Sequence, residues 1–129
     1  MMTLRLRLAA AGIAAAALAG CQPEVAAPTA PGVCWQAVTG ADGKVAFNKV
    51  SGGDATLESC AASLEAVRLR FLAMGGSHHD ITGAYQGTFL FLNDNGVFTG
   101  QTLNGARFFF LGLTPDGRLA TASALSTGQ

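Results

Sequence analysis

One stretch of this chain, residues 56–74, repeats apolar side chains at intervals of three and four, and this spacing constrains the fold more than any other feature. Such spacing places the apolar residues on one face of an α-helix, and that face has to be buried against another element. Asp54 or Thr56 can cap the first turn, and two consecutive glycines after Met74 end the helix. The apolar positions are Leu57, Cys60, Ala61, Leu64, Val67, Phe71 and Leu72.

Segments with the alternation and turn residues of β-strands flank this helix on both sides. Before the helix, two segments predict a β-hairpin, and after it further strands follow. The predicted strands are residues 34–38, 45–50, 85–92, 97–103, 106–114 and 118–122. The pair Asn104-Gly105 is the strongest two-residue hairpin signal. The apolar run 108–111 predicts a strand buried on both faces or flanked by other elements. Together these elements predict an α+β fold, a small two-layer domain with one helix packed on an antiparallel β-meander.

The first residues have the layout of an export signal. Arg5 and Arg7 precede the uncharged run 8–20. As a helix, that run would span only about 20 Å, whereas the apolar core of a bilayer is about 30 Å thick. Cys21 comes directly after the residues Leu-Ala-Gly. In these parts the chain resembles the signal peptide and lipobox of bacterial lipoproteins.

The resemblance implies that residues 1–20 are removed and that Cys21 carries the lipid, with palmitate among its acyl chains. Gln22 stands where retention in the inner membrane usually requires Asp, so we expect attachment to the outer membrane on its periplasmic side. An ordinary secretory signal with a coincidental cysteine is the alternative. Residues 21–33 hold three of the four prolines and are predicted to be a flexible tether with a reach of about 35 Å.

The globular domain is predicted over residues 34–122, followed by a frayed tail at 123–129. Three cysteines are an odd number for an exported protein. If Cys21 is lipidated, Cys34 and Cys60 are the remaining intrachain pair, and export would place them in an oxidising compartment where a disulfide persists. Two buried free thiols are the alternative.

The chain carries no pattern of residues that indicates catalysis. Its eight basic and eight acidic residues balance, and the basic ones are scattered, which excludes a nucleic-acid footprint. His78, His79 and Asp80 form a cluster of potential metal ligands, but adjacent loop residues tend to diverge, so they are weak candidates. Asp80, Asp94 and Asp116 lie in turn contexts, where Asp commonly bonds its own backbone. We therefore predict no catalytic residue, no enzyme activity and no cofactor.

These observations favour a small, non-enzymatic lipoprotein of the cell envelope that binds another protein or assists assembly, through an edge strand or the polar face of the helix. Two alternatives remain open. A small-ligand-binding module would need a pocket between helix and sheet, roofed by Phe71, Phe89 or Phe110. A periplasmic hydrolase inhibitor would present a rigid loop such as residues 93–96.

Overall fold

The computed structural model describes residues 24–127. In chain order its elements are β1 Cys34–Thr39, β2 Val45–Ser51, α1 Leu57–Ala73, β3 Ile81–Tyr85, β4 Thr88–Asn93, β5 Gly96–Gly100, β6 Phe108–Leu113, β7 Leu119–Thr121 and α2 Ala122–Thr127. The strands form a seven-stranded sheet in the order β2-β1-β3-β4-β5-β6-β7, and each neighbouring pair is antiparallel. The predicted α+β two-layer domain, with one main helix on an antiparallel sheet, is confirmed.

The helix α1 begins and ends where local chemistry predicts. The Thr56 side chain accepts a hydrogen bond from the Ser59 backbone N–H at 3.1 Å, so Thr56 rather than Asp54 is the N-cap. Asp54 instead fixes the connection into the helix: its carboxylate accepts from the Ser59 hydroxyl at 2.6 Å, and its carbonyl accepts from the Tyr85 hydroxyl at 2.5 Å. At the other end, the Met74 N–H donates to the Arg70 carbonyl at 3.1 Å.

We call the face of the sheet under α1 the helix side. Its core is built from Cys60, Ala61 and Leu64 of the helix and from Ile81, Leu90, Leu92, Val97 and Leu111 of the sheet. Gly83 lets the helix approach, because a Cβ there would lie 2.3 Å from Leu64 Cδ1. Phe71, predicted to lie on the buried stripe, is exposed, whereas Glu65 and Arg68 are buried.

A disulfide joins Cys34 of β1 to Cys60 of α1, with the two Cα atoms 5.3 Å apart. Both residues are completely buried in the helix-side core. The bond closes a loop that the chain-entropy model values at about 3.5 kcal/mol of unfolding free energy. The predicted pairing is therefore confirmed, and it fastens the helix to the first strand.

We call the opposite face of the sheet the second face, and it carries a second apolar cluster. Ala27, Ala84, Phe89 and Phe91 are buried there, with Val25, Trp35, Phe47, Phe98 and Leu103 packed around them. In the described part of the chain, irregular segments at residues 24–33 and 101–107 cover this cluster. The helix α2 packs beside Gly112, which is not part of the cluster.

Residues 24–33, which we call the arm, are not the solvated tether that the proline content predicts. The Gly87 N–H donates to the Pro28 carbonyl at 2.9 Å, and the Gly32 N–H donates to Gln86 Oε1 at 2.9 Å. Ala27 is buried against the sheet. Prolines keep a segment extended but do not keep it in solvent, and here the apolar second face offers it a surface.

The predicted single strand 85–92 is wrong, because a hairpin turn divides it. Gln86 and Gly87 have positive φ angles of 44° and 84°, as a two-residue turn between β3 and β4 requires. The turn changes which residues share a face: Phe89 lies in the second-face cluster, whereas Tyr85 belongs to the helix-side core. The strand Ile81–Tyr85 was missed because its sequence contains one large aliphatic residue and a glycine.

Three further expectations differ from the structure. Asn104-Gly105 does not form a two-residue hairpin, because both residues lie inside the longer loop 101–107 between β5 and β6. The apolar run 108–111 is not buried throughout: Leu111 is buried, but Phe108 and Phe109, the first two residues of β6, are exposed. Residues 122–127, expected mostly as a frayed tail, form α2, whose Leu125 lies where a Cβ on Gly112 would clash.

Candidate functional site

The two sides of the sheet each present an exposed surface that packing inside the domain does not use. On the second face, a groove lies between the arm and loop 101–107. On the helix side, exposed apolar side chains lie on the last turns of α1, beside a shallow cleft. Exposed apolar surface of this kind commonly marks an interaction site in a soluble domain.

The groove on the second face has a volume of about 660 Å³. The arm and the loop contribute two of its walls, and strands β1 to β4 with the turn between β1 and β2 contribute the remainder. Its lining mixes apolar and polar groups: Glu24, Val25, Thr39, Gly43, Val45, Thr82, Phe91, Leu103, Asn104 and Arg107.

Arg107 occupies a defined position in this groove, because its guanidinium carbon lies 3.7 Å from the centre of the Phe91 ring. A cation over an aromatic face gains electrostatic attraction while keeping its N–H groups available to an anion. Arg107 is otherwise exposed, so this stacking orients a positive charge beside an apolar floor. The arrangement suits an amphiphilic partner with an anionic group.

Exposed aromatic rings continue the second face beyond the groove. Phe109 is 50% exposed and meets Phe98 edge to face, with ring centres 5.8 Å apart. Phe108, the first residue of β6, is 63% exposed but is paired with Thr99 and therefore lies on the helix side of the sheet. Phe98 is paired with Phe91 across β4 and β5, so Phe91, Phe98 and Phe109 form a row across three strands.

On the helix side, Leu69 is 47% exposed on one flank of α1, whereas Phe71 and Met74, 41% and 74% exposed, lie on the other flank, because helical residues follow one another at about 100°. The Phe71 ring stacks on His78 with centres 6.3 Å apart. A cleft of about 290 Å³ lies beside Leu69, where α1 meets the turn between β6 and β7. Its lining is Ala62, Glu65, Ala66, Leu69, Gly117, Arg118 and Leu119.

A charged cluster at the β4–β5 turn joins this turn to the helix. Arg68 is only 4% exposed, and its Nε and Nη2 each donate to the Glu65 carboxylate at 2.8 Å. Its Nη1 donates to Asp94 Oδ1 at 2.9 Å and to the His79 carbonyl at 3.2 Å. The hydrogen bond to Glu65 raises the pKa of Arg68. A buried guanidinium that is paired this completely holds elements together and is not free to react.

The three weak metal candidates do not converge. His79 Nδ1 lies 2.8 Å from Asp94 Oδ2, whereas His78 stacks on Phe71. Hydrogen bonds first from His79 and then from Arg68 hold the pKa of Asp94 below its usual value. Within residues 24–127 no three His, Cys, Asp or Glu side chains lie close enough together to hold a metal ion. His78 and Asp80 are exposed, and Asp80 forms no set of metal ligands with His78 and His79.

The structure changes the basis of both alternative functions, the ligand pocket and the inhibitor loop. The ligand pocket was predicted between helix and sheet, but Phe89 lies on the second face, Phe71 is exposed, and the larger groove is on the side away from α1. The loop 93–96 proposed for an inhibitor is a tight turn whose Asp94 is held by Arg68 and His79. A side chain with these two partners is less available to enter an enzyme cleft.

The predicted lipid site Cys21 lies outside the described residues. In residues 24–127, neither helix has the length and hydropathy needed to span a membrane. Arg107, Leu69 and Met74 were not singled out from the sequence. A signal existed for two of them, because Leu69 and Met74 are large apolar residues that lie off the helix's apolar stripe. No signal marked Arg107, because its orientation depends on Phe91 in another strand.

Comparison with known proteins gives no relative from which to assign a role: no family model, curated protein or solved structure matches this chain.

Proposed function

We propose that this protein is a small, non-enzymatic lipoprotein of the cell envelope that binds another protein as an accessory or assembly module. In this proposal Cys21 carries the lipid and attaches the protein to the outer membrane on its periplasmic side. The resemblance of the first residues to a lipoprotein signal supports the anchor. The exposed helix-side surface supports the binding role.

The observation that carries the binding role is the exposure of Leu69, Phe71 and Met74 on one helix. Aromatic residues and Met are enriched at the centres of protein interfaces. The apolar cleft next to Leu69 could accept a side chain from a partner, as interface anchors commonly require. An exposed leucine next to an apolar cleft therefore favours a protein partner over a small molecule at this flank of the helix.

The anchor is tested by labelling cells with palmitate and fractionating the envelope. We expect label on the wild-type chain and none on a Cys21→Ala variant, which should leave the membrane fraction. If the two forms incorporate and fractionate alike, the lipoprotein assignment is wrong.

The binding role is tested by placing a photo-crosslinking amino acid at position 69 of the full lipidated chain in its own envelope. Position 58 is the matched control, because Glu58 is exposed near the opposite end of the same helix. We expect a discrete crosslinked partner from position 69 that is absent from position 58. Equal products from both positions, or none from position 69, would contradict a helix-side interface.

The volume of the second-face groove keeps one other function open, that of a small-ligand-binding module. About 660 Å³ is within the range of roughly 300–1,000 Å³ typical of ligand pockets. A ligand there would place an anionic group near Arg107 and apolar atoms on Phe91. Native mass spectrometry of the purified chain would show a bound molecule whose retention falls in an Arg107→Ala variant.

A further inference from the structure

We propose that the second face is the surface with which this domain lies on the membrane, and that its contacts there are the headgroups of anionic lipids. The proposal rests on the proposed function, because it requires a lipid at Cys21. It adds an orientation: the second face is held against the bilayer, while the helix side points away from it.

The packing of the arm is the first argument. Glu24 lines the groove, and from there the arm runs across the second face to Pro28, whose carbonyl is bonded to Gly87. Only Gln22 and Pro23 separate Glu24 from Cys21. Three residue steps reach at most about 11 Å. A lipid on Cys21 therefore holds Glu24, where the groove begins, within about 11 Å of the lipidated residue. A free tether through residue 33 would reach about 35 Å.

The composition of the second face is the second argument. Phe109 is half exposed and packs edge to face on the partly buried Phe98, and rings with exposed faces are favoured at the boundary between headgroups and acyl chains. Scattered exposed apolar residues need no explanation, but here the row lies on the face that the arm covers.

The charges on this face match an anionic surface. Arg107 is exposed and stacked on Phe91, and Lys49 is paired with Trp35 in the register, so both basic side chains belong to this face. Glu24 is an acidic side chain in the same groove. Basic residues close to a membrane are attracted by anionic lipids, and the attraction falls off within a Debye length of about 8 Å in physiological salt. The short link to Cys21 brings the face close to this range.

The chain contains its own probe for this orientation, because Trp35 is the one tryptophan and it packs in the second-face cluster. The full lipidated protein is reconstituted into vesicles of phosphatidylcholine and phosphatidylglycerol whose acyl chains are brominated near the headgroup. We expect the bromine to quench Trp35 fluorescence in the wild-type chain. This measurement needs no substitution, so it remains valid if a variant does not fold.

Two variants make the comparison between the faces direct. In a Trp35→Phe background, Phe109→Trp places the probe on the second face and Phe71→Trp places it on the helix side, both at exposed phenylalanines. We expect quenching to be several-fold stronger for Phe109→Trp. Equal or stronger quenching of Phe71→Trp overturns the proposed orientation.

The lipid class is tested with the same probe. Omitting phosphatidylglycerol, or adding Arg107→Glu, should weaken the quenching of Phe109→Trp. If neither change has an effect, anionic headgroups are not the contact.

Mass spectrometry of Cys21 before reconstitution separates the two proposals. An unlipidated Cys21 refutes the anchor and this orientation with it, whereas a lipidated chain that is quenched on the helix side refutes the orientation alone.

Discussion

The two faces of the sheet bury apolar side chains in different ways. The helix side is covered by α1, which packs chiefly on β1 to β4 and is joined to the sheet by a disulfide. The second face is covered by the arm and by loop 101–107, with a few hydrogen bonds to hold them. A regular element covers one core, and irregular chain covers the other.

The difference shows that a sheet in a two-layer domain need not expose its second face. A helix satisfies its own backbone groups, so it can cover a core without help from the sheet. Irregular chain has to find other partners, and the arm finds them at Gly87 and Gln86. We therefore expect the second face to be a true core that is covered less firmly. The following predictions test this comparison.

The largest effect is expected from removing a buried ring on the second face. Phe89→Ala should lower the free energy of unfolding by about 3–5 kcal/mol, because Phe89 is completely buried and the cavity would not close. Leu64→Ala is the matched change on the helix side and should cost about 2–5 kcal/mol. Urea denaturation measures both. A loss below about 1 kcal/mol for Phe89→Ala would mean that the second face is not a packed core.

The disulfide should contribute nearly as much to the free energy of unfolding as these buried side chains do. It acts on the helix side, where both cysteines lie. A Cys34→Ser and Cys60→Ser double variant should lose about 3.5 kcal/mol of unfolding free energy, since the unfolded chain regains the freedom of the closed loop. The wild-type protein under reducing conditions is the control and should behave in the same way. Retention of full stability after reduction would show that α1 is held by packing alone.

A smaller loss is expected when the arm is detached. Ala27→Asp places a carboxylate against the second face and should cost about 1–3 kcal/mol. The loss of stability is limited because the arm can leave the sheet. This loss therefore cannot exceed the free energy with which the arm docks on the second face. Ala26→Asp is the control, because Ala26 is exposed, and it should change stability by less than about 0.5 kcal/mol. Faster proteolysis of the arm in Ala27→Asp alone would confirm that the arm is released.

The smallest effect concerns Asp94, which joins the helix side to the β4–β5 turn. The pKa of Asp94 is lowered from 3.8, first by the hydrogen bond from His79 and then by that from Arg68. A lowered pKa in the folded state means that the ionised carboxylate stabilises the fold above the unfolded pKa and that this stabilisation is lost as pH falls below about 3.8. Asp94→Asn should therefore reduce the fall in melting temperature below that pH. An unchanged acid profile would show that the exposed pair contributes nothing.

Elements with strong local signals were predicted well. The helix follows from apolar periodicity and its Thr56 cap, and the first hairpin follows from the alternation in its two segments. The β3–β4 turn was missed because Gln is uncommon at a positive φ, so Gln86-Gly87 gave a weaker signal than Asn104-Gly105. Asn104-Gly105 in turn has the right local chemistry, but it lies within the longer loop over the second face.

The candidate surfaces were predicted less well, for a physical reason. From the sequence, a charged helical residue such as Arg68 is expected to be exposed. Its burial is stable because the guanidinium donates hydrogen bonds to Asp94 and to the His79 carbonyl, which are distant in the sequence. The exposure of Phe108 and Phe109 likewise depends on where the sheet ends, which no local pattern encodes.

The sequence by itself determined the main helix, the first hairpin and the class of fold, because periodicity, capping and turn chemistry act between residues that are close along the chain. The pairing of Cys34 with Cys60, which are 26 positions apart, was one of two alternatives until the structure showed the disulfide. Only the tertiary structure decided which segments cover the second face, which charges are buried and which aromatic rings stay exposed. Those outcomes depend on surfaces brought together from distant parts of the chain. Apolar burial is not directional, so its partner cannot be identified from a local pattern.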